Sequence, residues 1–76
     1  MIQVFSASWC SACKTLKKFL KENNIPFQER DIDSDKDAYD TLNRLQIRSI
    51  PVTYLDDENF VVGANQQSIL ELVKKS

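Results

Sequence analysis

Apolar residues recur along this chain at two spacings, one suited to strands and one to helices. Ile2, Val4 and Phe5 make a short apolar run that ends at Ser6 and reads as a buried strand. From Ser11 to Asn23 the spacing turns helical. Ala12, Leu16, Phe19 and Leu20 fall on one face, and Lys14, Lys17, Lys18 and Lys21 on the other. Asn23 and Asn24 suit a helix end, because asparagine tolerates the left-handed C-cap conformation, and Pro26 blocks continuation. Phe27 to Ile32 reads as a second, more polar strand. Ser34 and Asp37 fit a capping box ahead of a helix carrying Ala38, Leu42 and Leu45. After the loop Ile47–Pro51, Val52 to Leu55 predicts a third strand. Asp56 to Asn59 is a hairpin turn and Phe60 to Val62 a fourth strand. Gly63 ends it, and Asn65 or Gln66 starts a last helix with Ile69, Leu70 and Val73 inward.

The predicted order is β-α-β-α-β-β-α, an α/β arrangement. Its first strands form a parallel pair joined by a right-handed crossover, and its terminal hairpin adds two antiparallel strands. With 76 residues, no internal repeat and no low-complexity linker, residues 1–76 read as one domain. A chain this short buries only about two-thirds of its unfolded surface, so there is room for a single core.

Charge and composition narrow the chemistry. Ten basic and eleven acidic residues leave a net charge of −1, which argues against general nucleic-acid binding. Histidine is absent, which removes Cys-His and Ser-His catalysis and most zinc-hydrolase schemes. No segment approaches the roughly 18 apolar residues of a membrane span. Met1 leads straight into the first strand without a basic leader, so the expected compartment is the cytoplasm, where thiols are kept reduced.

In that setting the two cysteines matter most. Cys10 and Cys13 lie in Ser8-Trp9-Cys10-Ser11-Ala12-Cys13-Lys14, between a strand and a helix. A helix start offers unpaired N–H groups that stabilise negative charge, so Cys10 is expected to be the nucleophile. Cys13, one turn inward, is expected to be more buried, a poorer thiolate, and able to close a disulfide with Cys10. Zinc takes four ligands, and two cysteines without histidine supply them only if a second subunit shares the site. Lys14 is either a surface lysine or a positive charge favouring the thiolate. Trp9 is expected on an exposed rim where partners dock. Pro51 opens the third strand and is expected to be cis, turning the Ile50 backbone toward an extended substrate segment beside Cys10. The aspartates from Asp31 to Asp37 share the alternation of a calcium loop. They lack its glycine, where Lys36 stands, and its closing glutamate, where Leu42 stands, so they read as a solvated loop and helix start.

On these residues the chain resembles the thioredoxin-fold redoxins over nearly all its length. Trp9-Cys10-Ser11-Ala12-Cys13-Lys14 is similar to the thioredoxin active-site stretch, with Ser-Ala replacing Gly-Pro. Ile47 to Val52 is similar to the cis-proline loop, and Val62-Gly63-Ala64 to the glycine turn before the last helix. The length resembles glutaredoxins and the NrdH-type redoxins. The resemblance implies a four-stranded mixed sheet in order 2-1-3-4 flanked by three helices. It implies that Cys10 attacks a partner disulfide, that Cys13 resolves the mixed disulfide, and that their own disulfide is the only redox group. Trp9, Ser11, Ala12, Lys14, Ile50, Pro51 and Gly63 would line the substrate groove.

Two departures bear on the partner. Thioredoxins carry a buried acid six residues before the first cysteine, where this chain has Val4. Glutaredoxins usually place an acid after the glycine turn to hold glutathione, but here the turn reads Gly63-Ala64-Asn65-Gln66-Gln67. The expected function is therefore a monomeric dithiol–disulfide oxidoreductase recharged by a thioredoxin-reductase-like flavoenzyme, with ribonucleotide reductase among its candidate substrates. The rivals are a glutathione-dependent glutaredoxin, a metal-bridged dimer sharing Cys10 and Cys13 from each chain, and a non-enzymatic binding domain using the Trp9–Pro51 surface.

Overall fold

Ile2, Val4, Phe5 and Ser6 are all buried, because the strand they form is covered on both faces. A computed structural model describes residues 1–76. The elements are β1 (Ile2–Ser6), α1 (Ser11–Glu22), β2 (Phe27–Asp31), α2 (Lys36–Arg44), β3 (Val52–Asp56), β4 (Asn59–Val62) and α3 (Gln66–Lys75). The sheet runs β2-β1-β3-β4, with β1 parallel to β2 and antiparallel to β3, and β3 antiparallel to β4. This is the expected mixed sheet.

Alternation along β1 sends its side chains to two cores. Ile2 and Val4 pack with Leu16 and Leu20 of α1 and Ile69 of α3 on one face. Phe5 packs with Val52 and with Ala38 and Leu42 of α2 on the other. Each large aliphatic side chain so buried stabilises the fold by roughly 1.5–3 kcal/mol relative to exposure. Thr53, opposite Val4 on β1 and Val61 on β4, is fully buried and its hydroxyl has no hydrogen-bond partner. No helix is long and apolar enough to cross a membrane.

Three sequence expectations shift. Ala12 is exposed, and Cys13 takes its place on the inward stripe with Leu16 and Leu20, three and seven positions on. Leu70 is likewise exposed, while Leu72 turns inward with Ile69. The cap of α2 is Asp35 rather than Ser34. Its carboxylate accepts the Ala38 N–H at 3.2 Å, and Arg30 Nε donates to it at 2.9 Å, anchoring the cap to β2. Those two donors hold the Asp35 carboxyl below the usual carboxylate range, the Arg30 bond contributing most. The first helix ends as expected: Asn23 is the C-cap and Asn24 takes the left-handed φ of 55°.

Candidate active site

The site is assembled where β1 runs into α1. Ala7 is buried after the strand, and the Cys10 N–H donates back to the Ala7 carbonyl at 3.2 Å, closing the turn. Cys10 is itself the N-cap of α1, in extended geometry, and its Sγ accepts the Cys13 N–H at 3.1 Å. A sulfur thus occupies the capping position usually held by an oxygen. No acidic residue stands in the first turn of α1 to neutralise the positive end of the helix dipole there. Both cysteines are free thiols.

Burial separates the pair. Cys10 keeps 7% of its surface exposed and Cys13 none. Burial pushes the Cys13 thiol up to about 12, with the hydrogen bond to Cys10 adding to the effect and the Lys17 charge opposing it.

The loop before β3 completes the site in space. The Ile50–Pro51 peptide is cis, as the sequence suggested. Ile50 packs, with Ile32, against the cluster of Ala7, Cys10 and Cys13. Neither the N–H nor the carbonyl of Ile50 takes part in any hydrogen bond of the fold. The Pro51 carbonyl accepts the Gly63 N–H at 2.8 Å, which ties the glycine turn to the same loop. Gly63 has φ 96°, a conformation that suits a residue without Cβ. Ser11, Ala12 and Lys14 are exposed on the first turn of α1. Within one chain, no third cysteine or carboxylate joins the pair as a metal ligand.

Trp9 stands beside the pair and is 69% exposed. Its indole Nε1–H donates to Asp33 at 2.9 Å, which fixes the ring over a groove of about 390 Å³. The groove floor is Ile32, Leu42, Ile47 and Ile50, and its rim holds Tyr39, Asn43 and Arg48. Sequence reasoning missed Asp33, Tyr39 and Arg48. Asp33 was readable in principle. Parallel pairing of Ser6 with Asp31 carries the end of β2 to the cysteine loop, and the Ile32 N–H donates to the Ser6 carbonyl at 2.9 Å.

Comparison with known proteins agrees with this geometry. The glutaredoxin family model matches residues 2–61. A glutaredoxin-like 8.6 kDa protein in the rubredoxin operon of Clostridium pasteurianum is 33% identical over 99% of this chain and 100% of its own length. The glutaredoxin-like protein NrdH of Lactococcus lactis is 35% identical over 79% of this chain and 83% of its own. Among solved structures, the NrdH-redoxin of Escherichia coli superposes with a TM-score of 0.83 at 21% identity, over 93% of this chain and 92% of that one.

Fold and relatives together define a thioredoxin-fold thiol–disulfide oxidoreductase. More narrowly, the chain belongs to the glutaredoxin family, as a short redoxin of the glutaredoxin or NrdH type.

Proposed function

We propose that this chain is a monomeric, single-domain electron carrier that reduces protein disulfides in the cytoplasm through Cys10 and Cys13. The observation that carries the reading is the Cys13 N–H donated to Cys10 Sγ at the helix start, while the Cys13 thiol itself is buried and holds its proton. An anion on Cys10 gains from that bond and from the helix dipole, and Cys13 waits protonated for the second step. Cys10 thiolate attacks one sulfur of the partner disulfide, and the other sulfur leaves with the electron pair. Cys13 then loses its proton and attacks Cys10, forming the Cys10–Cys13 disulfide and releasing the second partner sulfur as thiolate. Two electrons pass to the partner, and the disulfide is the only redox group the cycle uses. The free N–H and carbonyl of Ile50 are available to pair with the backbone around the partner cysteine, between Trp9 and Gly63. Ser11, Ala12 and Lys14 are exposed on the same approach, whereas the Pro51 side chain, expected in the groove, is fully buried and contributes through the cis bend it gives the chain.

A thioredoxin-reductase-like flavoenzyme is the favoured electron source. The start of α3 holds no acid for the ammonium of glutathione. The Asn65 side chain there is engaged in accepting the Ser68 N–H at 3.0 Å, so it is not free as a replacement anchor. The similar NrdH-redoxin is described as having a thioredoxin-like activity profile. Ribonucleotide reductase is the substrate we favour, on the resemblance to NrdH-type redoxins. Reduction of insulin by the purified protein tests both levels. Cys10→Ser should abolish it and Cys13→Ser should trap a mixed disulfide. NADPH with thioredoxin reductase should sustain turnover, whereas turnover only with glutathione and its reductase overturns the choice of reductant.

A further inference from the structure

Cys13 must become an anion in a place that disfavours one. It is fully buried beside Ala7, Cys10, Ile32 and Ile50. On the sheet, Val4 and Thr53 stand opposite one another and bring no charge. On its own helix, Lys17 stands one turn on, on the inward stripe shared by Cys13, Leu16 and Leu20, whereas Lys14 is exposed. Helical side chains lean toward the N-terminus, so a residue four positions later covers the turn before it.

Lys17 is also held there. Its Nζ lies 2.7 Å from Glu29 Oε1, and its side chain is only 20% exposed. The same carboxylate oxygen accepts the hydroxyl of buried Ser6 at 3.4 Å, where β1 enters the site. The contrast on α1 is Lys18, whose pair with Glu22 at 3.9 Å joins two well-exposed side chains.

We propose that Lys17, held by Glu29, whose carboxylate Ser6 anchors in turn, is a positioning residue for the resolving step, its ammonium favouring the thiolate of Cys13. The proposal rests on the electron-carrier reading above. Two influences oppose burial at Cys13: a backbone hydrogen bond at Ala7, which is the stronger, and the charge of Lys17, while Cys10 acts with burial. When the mixed disulfide forms, the Cys13 proton leaves to water. Its sulfur bonds Cys10, and the bond from Cys10 to the partner sulfur breaks with the electron pair on the partner. No proton is taken from Lys17 in this step, and its part is to sit beside the reacting sulfur while Glu29 holds it at 2.7 Å.

An aromatic disulfide with a coloured thiolate product separates the two steps in a stopped-flow trace. The reduced protein releases one colour equivalent when Cys10 attacks and a second when Cys13 resolves. Lys17→Met, which keeps the apolar stem, should slow the second release about threefold, the effect of roughly half a unit in the Cys13 thiol. It should also move the pH midpoint of that phase upward and leave the first release unchanged. Lys17→Arg, which keeps the charge, should restore the second phase. A second release in Lys17→Met as fast as in the parent overturns the proposal, as does equal slowing of both phases. If the parent shows no first release, the electron-carrier reading itself fails and takes the proposal with it. A normal first release with no effect of Lys17 refutes the proposal alone.

Discussion

Cys13 has no exposed surface, and burial pushes its thiol from an ordinary value of 9.0 to about 12. Linkage turns that displacement into a dependence of stability on pH. The folded reduced chain binds this proton more tightly than the unfolded chain does, so the contribution is complete below about pH 9. As pH rises through the window from 9.0 to about 12, the unfolded chain loses the proton first and the folded state loses stability. The slope is about 1.4 kcal/mol per pH unit inside the window. Urea unfolding of the reduced protein at a series of alkaline pH values should show this decline, and Cys13→Ala should flatten it. A parent and variant with parallel pH profiles would place the thiol in an ordinary environment. The same burial explains why the two sulfurs divide the labour: the capping sulfur receives an N–H, while the buried one gives up its proton only when the reaction demands it.

Elements take their ends from single residues, and the turn into α3 shows how. Gly63 joins β4 to that helix with φ 96°, and its N–H reaches Pro51. A Cβ built on Gly63 meets nothing within 4 Å, so Gly63→Ala is disfavoured by backbone conformation and by no clash. It should cost about 1–2 kcal/mol in thermal or urea unfolding, and an unchanged midpoint would show that the turn relaxes freely. Such local signals explain what could be read in advance. Strand and helix periods placed every element, Asn24 marked the end of α1, and Cys10, Cys13 and the Ile50–Pro51 loop met in space as their motif order suggested. Helix phase was read less well. Ala12 and Leu70 are apolar and adjacent to inward positions, so hydrophobicity alone could not exclude them; the true stripes run through Cys13 and Leu72. Ser34 and Asp35 are both good caps, and the choice fell to Asp35 because Arg30 on β2 reaches it. The Lys17–Glu29 pair joins two elements and the Arg44–Asp57 pair joins α2 to the β3–β4 turn, so no spacing along the chain announces them.

The two faces of the sheet are unequally covered. Leu16, Leu20, Ile69 and Leu72 of α1 and α3 are buried on one side, while α2 alone covers the other through Ala38 and Leu42. Beyond those two side chains, α2 is tied at its ends by the Arg30–Asp35 and Arg44–Asp57 ion pairs rather than by apolar burial. It also forms a wall of the groove beside Trp9, through Tyr39, Leu42 and Asn43. Local openings are drawn from segments with least apolar burial, so α2 should open while β1 and its helices stay folded. Amide exchange should then give Thr41 to Arg44 less protection than Val4 and Phe5, which exchange only on global unfolding. A mutation on the opposite face distinguishes this from one cooperative unit. Ile69→Val removes a methylene from the core and should lower global stability by about 1 kcal/mol. The contacts of Ile69 survive in a state where only α2 has opened, so the exchange rates of α2 should not change while those of β1 rise. If the α2 amides speed up in step with Val4 and Phe5, the groove wall opens only with the whole fold, and substrates must dock on a rigid face.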